Sequence, residues 1–229
     1  MPGALRDMLR LRNDALTIRH TVAGSRRRDE VEEFIRATFK SRFGAEVTSF
    51  APNLMALELD DRVVAAAGWR CAADEPLFLE TYLDVPVEAA LAKLAGHPVE
   101  RARIVEVGNL AAARAGGSID VILALSRHLD RLGYEWVAFT ATRELIGIFR
   151  KLGLAPLALA PADPERLGEQ AGAWGHDYDS APVVVAGRIR LALEKSARRH
   201  DGLSLAGFAV RAFRRSASAR RRQPCLVGR

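Results

Sequence analysis

The stretch from Arg103 to Thr142, RIVEVGNLAAARAGGSIDVILALSRHLDRLGYEWVAFTAT, constrains the fold more than any other part of the chain. Ile104, Val105 and Val107 are β-branched and flank one acid, Glu106, in an otherwise apolar run that reads as a strand. Ala111 to Gly117 is a small, glycine-bearing loop, and Ser118 follows where a helix N-cap belongs. Ile119, Ile122, Leu123, Leu125, Leu129 and Leu132 recur at helical spacing, and Gly133 closes the helix. Tyr134 to Thr140 is a second β-branched and aromatic strand. A strand that feeds a helix through such a loop leaves backbone N–H groups at the positive end of a helix dipole, which suits an anion such as a pyrophosphate. The run has neither G-x-G-x-x-G nor G-K-[ST], so neither a nicotinamide dinucleotide nor nucleotide hydrolysis is favoured. An ordinary βαβ unit with a tight turn satisfies the same pattern.

The rest of the chain extends this unit. Leu16 to Val22 reads as a strand, and Arg28 to Arg42 as an amphipathic helix with Val31, Phe34, Ile35, Thr38 and Phe39 on one face. Leu54 to Leu59 and Val63 to Trp69 form a hairpin around Asp60-Asp61-Arg62. Pro86 opens a short helix toward Leu94. Arg143 to Leu152 is a helix closed by Gly153, Leu154 to Leu159 a strand, Asp163 to Gln170 a short helix, and Pro182 to Ile189 the last strand. An antiparallel beginning followed by a βαβ crossover predicts a mixed sheet with helices on both faces.

With 229 residues, 49% of them hydrophobic, the chain can bury one sizeable core. Its net charge of +6 is unevenly spread. From Leu191 onward there are ten Lys or Arg and two acids, whereas the preceding 190 residues hold 24 against 26. The expected organisation is therefore a domain over residues 1–190 and a basic tail over 191–229. In the tail, Leu205, Phe208, Ala209, Ala212 and Phe213 alternate with arginines, a pattern suited to an anionic membrane surface or to a disordered segment. Nucleic acid ranks last, because no aromatic platform accompanies the arginines. Cys71 and Cys225 imply neither a disulfide framework nor a metal site, and the N-terminal MPGALRDMLRLRND lacks the apolar run of a signal peptide. A cytoplasmic protein is expected, either free or, where the tail meets lipid, peripheral at the inner membrane.

The order of elements resembles the GNAT superfamily of acyl-CoA N-acyltransferases, in which the loop after the central strand binds the coenzyme A pyrophosphate. Its Q/R-x-x-G-x-G/A signature is met loosely by Ala113, Arg114, Gly116, Gly117 and Ser118. IFRKLGL resembles that family's LYEKLGF, with Phe149 standing where a tyrosine often acts as general acid. VAAAGWRCAADEPLFLETYL together with VEVGNLA resembles the acyl-homoserine-lactone synthases, whose strand reads E-x-S-R-F/L-A. Glu106 falls on their proposed base and Arg70 on their strand arginine, while Asn109 replaces their second arginine. The pieces SFAPNLMAL, LFLETYLDVPVE, RIVEVGNLA, FTAT, ADPERL and WGHDYDSAPVVVAG, within residues 26–190, resemble the thermostable hemolysin family.

The resemblance implies a mixed α/β (α+β) fold of three α/β/α layers and a transferase that moves a fatty acyl group to a small amine. The donor would be acyl-CoA or an acyl carrier protein. The coenzyme A thioester would be a cosubstrate, with no permanently bound cofactor or metal. Glu106 would be the base; as a carboxylate in an apolar strand it must be paired or have a raised pKa, and an ion pair with Arg70 or Arg103 answers the same need. Tyr178, in the dense polar-aromatic loop AWGHDYDSAP, would be the replacement general acid. Arg70 and Asn109 would hold the acceptor or the thioester carbonyl, though a loop-capping amide fits Asn109 equally. Phe78 and Tyr82 have core spacing and would also build an acyl groove. Leu110, Ala111, Ala113, Arg114, Gly116, Gly117, Ser118 and Thr140 would contact the coenzyme, and Thr142 reads as a helix N-cap. Two other readings are a membrane-active or peripheral membrane-binding protein and a domain that senses acyl-CoA without turnover.

Overall fold

The computed structural model describes residues 17–113, 117–151, 153–168, 181–200 and 211–215. Its strands are β1 (Thr17–Val22), β2 (Asn53–Leu59), β3 (Arg62–Cys71), β4 (Ile104–Ala112), β5 (Trp136–Ala141), β6 (Leu157–Pro161), β7 (Val183–Arg188) and β8 (Arg211–Arg215). The helices are α1 (Arg28–Phe43), α2 (Val87–Ala95), α3 (Gly117–Arg131), α4 (Arg143–Lys151) and α5 (Ile189–His200), with 3-10 helices at Phe78–Tyr82 and Arg101–Arg103. One mixed sheet runs in the order β6-β7-β5-β4-β3-β2-β1-β8. The β4–β5 and β1–β8 pairs are parallel and the others antiparallel.

Period-two alternation sorts the helices onto two faces. Leu54, Ala56 and Ala66 face Val31, Ile35 and Phe39 of α1. Ile104, Trp136, Ala138, Val184 and Ala186 continue that face beneath Leu79, Tyr82 and α2. Met55, Leu57, Ala65, Ala67, Trp69 and Val105 point the other way, against Val121, Leu125 and Leu129 of α3 and Ile189 of α5. Phe139, Ala141 and Val185 meet Phe149 of α4 on this second face. The result is the expected three-layer α/β/α arrangement. Val31 and Ile35 are fully buried, and each contributes roughly 1.5–3 kcal/mol by leaving water.

Tight turns set the hairpin. Asp60 and Asp61 have φ values of 51° and 59°, the paired left-handed conformation of a two-residue turn that matches strand twist. Arg62 is the first residue of β3 rather than part of the turn, and it pairs with Leu59.

The structure departs from the sequence reading in three places. Strand β4 continues through Ala112, so Ala111 and Ala112 belong to the sheet and not to a loop. Helix α3 begins at Gly117, which puts Ser118 in its first turn. Helix α5 spans the boundary drawn at residue 190: Ile189 is 1% exposed, Leu193 packs on the same core, and the arginine-rich segment Arg211–Arg215 pairs with β1 as β8. No helix among the described residues is long and apolar enough to cross a membrane.

Candidate active site

A β-bulge and a parting of strands create the site. Gly68 pairs with Gly108 and Ala66 with Ala111, so Asn109 and Leu110 together oppose Ala67. The extra residue reverses the alternation along β4. Ile104 and Glu106 face the 3-10 helix and α2 side before the bulge, and Ala111 faces α1 on that same side after it. Asn109 takes the left-handed conformation at the bulge, with φ 50°, which its short polar side chain tolerates. Its Oδ1 accepts the Ala51 N–H at 3.0 Å, and its Nδ2 donates to the Ser49 carbonyl at 3.4 Å. The loop-capping role is thus observed, and it ties the segment before β2 to the bulge.

Pairing of β4 with β5 ends where the bulge begins. Ile104, Val105 and Glu106 pair with Trp136, Val137 and Ala138, and beyond them the two strands separate. A cleft of about 230 Å³ opens in the gap. On the α1 side it is walled by Thr38, Phe39, Arg42, Phe43, Phe78 and Glu106. On the other side it is walled by Ile122, Leu125, Ser126 and Leu129 of α3, Leu145 and Phe149 of α4, and Ile189 and Ala192 of α5. Gly108, Asn109, Leu110, Ser118, Thr140 and Thr142 line its sheet edges and mouth. The cleft therefore crosses the sheet, with its one deeply buried carboxylate on one side and a mostly apolar wall on the other.

Glu106 is 8% exposed. Its Oε1 accepts the Leu79 N–H at 2.8 Å, its Oε2 accepts the Phe78 N–H at 2.9 Å, and Arg70 Nε lies 3.3 Å from Oε2. Burial raises its pKa above the ordinary carboxylate value, outweighing the opposing pull of the two N–H bonds and of Arg70. Such a group takes up a proton more readily than a solvated glutamate does. Of the two ion-pair partners the sequence offered, Arg70 is the one present, and it also lies 3.7 Å from Glu75, whereas Arg103 lies 3.7 Å from Glu100 and 3.8 Å from Glu135.

The other candidates divide. Phe78, Leu110, Ser118 and Thr140 join Glu106 and Asn109 in the one cleft. Tyr82 does not: it is 2% exposed, packs in the α2-side core and meets Phe78 edge-on at 5.9 Å. Ala111 is buried against α1, and the Ala113 N–H is engaged by the Val64 carbonyl at 3.0 Å, so neither alanine presents a free donor as the loop reading expected. Gly117 and Ser118 form the first turn of α3, while Arg114, Gly116 and Tyr178 lie outside the described residues. Thr142 caps α4 as expected, its Oγ1 accepting the Leu145 N–H at 3.3 Å. Phe149 stacks on Phe139 at 5.1 Å and serves packing.

Sequence reasoning missed Glu80 and Arg101. Glu80 Oε2 accepts the Leu77 N–H at 3.0 Å and its Oε1 accepts the Val87 N–H at 2.9 Å. Arg101 donates to both oxygens, at 2.6 and 2.8 Å, and also to Glu88 at 2.6 Å and to the Ala72 carbonyl at 2.7 Å. The available signal was a lone acid in the apolar run PLFLETYL, the same signal that exposed Glu106. Arg101 holds the Glu80 pKa down to about 2, from an ordinary value of 4.5. The stabilisation from ionised Glu80 is complete above the unfolded value and is lost as pH falls through about 2. Thermal melts should therefore show wild type above Glu80→Gln by a constant margin near neutral pH, and a margin that narrows steadily below about 4.5. A margin that does not change with pH contradicts the assignment.

The family model described as thermostable hemolysin matches residues 21–193. No curated protein matches the sequence. Among solved structures, FeeM, an N-acyl amino acid synthase from uncultured soil microbes, is 12% identical, with a TM-score of 0.58 over 82% of this chain and 98% of that one. BjaI, a CoA-dependent acyl-homoserine lactone synthase solved with SAM and isopentyl-CoA, is 17% identical, with a TM-score of 0.55 over 83% of this chain and 92% of its own. The acyl-homoserine lactone synthase LasI is 13% identical, with a TM-score of 0.55 and coverage of 87% and 100%. At these identities the likeness is one of fold, and the fold is the GNAT-like one that the resemblance implied.

Proposed function

The chain belongs to the thermostable hemolysin family, and from that premise we propose an N-acyltransferase that moves a fatty acyl group from a thioester to a small amine. The observation that carries the reading is the cleft itself, in which one buried carboxylate faces a gap that continues into an apolar wall on the far side of the sheet. The thioester of coenzyme A or of an acyl carrier protein enters at the mouth, with its phosphates toward the first turn of α3 and its arm past Thr140. The acyl chain lies between α3 and α5. The amine approaches from the α1 side, beside Phe78, and attacks the thioester carbonyl. Glu106 takes the proton from the attacking nitrogen, directly or through water, and the thiolate leaves to collect a proton. Backbone N–H groups near the bulge polarise the carbonyl as negative charge builds on its oxygen.

Calorimetry with acyl-CoAs from acetyl to palmitoyl tests this reading. Affinity should rise with chain length, and Ala192→Phe, which fills the floor between α3 and α5, should weaken palmitoyl-CoA by about tenfold or more while sparing acetyl-CoA. No binding by any acyl-CoA or acyl carrier protein sinks the proposal.

Two other readings each have an observation behind them. Both Glu106 oxygens already accept N–H bonds, which favours a thioester sensor without turnover; tight binding with no product from any amine would select it. The family's description names lysis, and the basic C-terminal residues suit an anionic bilayer. Leakage of anionic vesicles by a protein with no thioester affinity would select that reading instead.

A further inference from the structure

The N–H groups that hold Glu106 belong to the first turn of the 3-10 helix Phe78–Tyr82. Five residues of 3-10 helix have little cohesion of their own, because so short a helix does not recover its nucleation cost. Something else must fix where Phe78 and Leu79 aim their donors. Glu80, in the middle of this helix, accepts the N–H of the residue before it, Leu77, and of the first residue of α2, Val87. Both ends of the segment are thereby gathered onto one carboxylate. Arg101 grips that carboxylate with two parallel N–H bonds and anchors it to the Ala72 carbonyl, just past the end of β3, from a position that leads directly into β4. Strands β3 and β4 carry Arg70 and Glu106, so the frame that bears the carboxylate also bears the clamp on its donors.

We propose that Glu80 and Arg101 are positioning residues for Glu106, holding the Phe78 and Leu79 N–H groups on its two oxygens and so setting when the carboxylate is ionised. The proposal rests on the reading of Glu106 as the base, but its geometry can be tested without turnover. Among the described residues, the charged groups that act on Glu106 are Arg70 on β3 and Glu80 on the 3-10 helix, while Arg42 of α1 and Glu144 of α4, paired with each other at 3.8 Å, line the same cleft. Glu80 does not line the cleft, so it acts through Glu106 and not on substrate.

The test is a carboxyl-carbon NMR titration of Glu106 in the full chain, with the signal assigned by its loss in Glu106→Gln. Arg101→Lys keeps the charge near Glu80 but loses the two-pronged grip, and it should move the Glu106 midpoint to higher pH as the N–H groups fall out of line. Glu80→Gln should do the same. Removing the Glu80 charge alone would lower the midpoint, so a rise there reports lost N–H alignment. Leu91→Ala, a fully buried α2 position, destabilises the same region and should leave the midpoint in place. An unchanged or lowered midpoint in Arg101→Lys overturns the proposal, even where Glu80→Gln fails to fold. In an acyl-transfer assay Arg101→Lys and Glu80→Gln should lose about tenfold in rate at neutral pH, with the acid limb of the profile displaced upward, while Leu91→Ala keeps the wild-type limb. A wild-type protein that transfers no acyl group would defeat the functional reading and leave the NMR result standing on its own.

Discussion

Replacing Glu106 with Gln is expected to lower acyl transfer at neutral pH by a factor of about 10²–10⁴, the usual contribution of a positioned general base. The substitution keeps the shape of the side chain and removes its ability to accept a proton. It also turns an NH₂ group toward the Leu79 or Phe78 N–H, so one donor loses its acceptor, at roughly 1–3 kcal/mol of stability. Thioester affinity separates the two effects: the apolar wall between α3 and α5 is untouched, so binding should persist while turnover collapses. The pH dependence supplies a second signature. Wild-type activity should climb as pH passes the raised Glu106 pKa, and the variant should show no such limb. Stability moves in the opposite sense. The folded protein keeps the Glu106 proton to higher pH than the unfolded chain does, so this group's contribution declines as pH rises from about 4.5 through the raised value, and Gln abolishes that slope. Unchanged turnover in Glu106→Gln removes the residue as the base and leaves it the structural role its N–H bonds already describe.

What could be read from the sequence follows from which interactions are local. The apolar runs of β2 and β3 around the Asp60-Asp61 turn and the helical spacing in α1 and α3 are all short-range patterns, and these elements stand within a few residues of where they were expected. Glu106 was legible because a charge in an apolar strand has few explanations. The bulge was not legible, since Asn109 and Leu110 look like ordinary strand residues until β3 supplies the partner they overrun. Without the bulge, the parting of β4 from β5 could not be foreseen, nor could the walls that α1 and α5 give the cleft. The C-terminal segment misled for a related reason. Its arginines dominate composition, yet Ile189 and Leu193 at helical spacing are enough to dock α5 on the core. Tyr82 has the spacing of a core residue and is buried as one, and only the packing of α2 shows that it has no share in the groove.

The two glycines paired across β3 and β4 should fail in different ways. A Cβ on Gly68 would lie 2.8 Å from the Ala51 Cβ, 3.0 Å from the Leu54 Cδ2 and 3.0 Å from the Asn109 Oδ1. Ala51 and Asn109 are the two ends of the hydrogen bond that ties the segment before β2 to the bulge, so the new methyl pushes both partners of that bond. Overpacking of this kind costs roughly 1–3 kcal/mol for Gly68→Ala, a fall of about 2–12 °C in Tm for a chain of this size, and Gly68→Val should cost more. Gly108 lies directly opposite, and a Cβ there meets nothing within 4 Å because it points into open space at the cleft. Gly108→Val should therefore melt close to wild type, its β-branched side chain suiting a strand, while blocking thioester or amine binding by tenfold or more. The pair thus separates the scaffold of the site from its interior with one substitution on each strand. Equal loss of stability in both variants would mean that the gap between β4 and β5 is closed in solution. Normal binding by Gly108→Val would mean that the reacting groups meet somewhere other than beside the bulge.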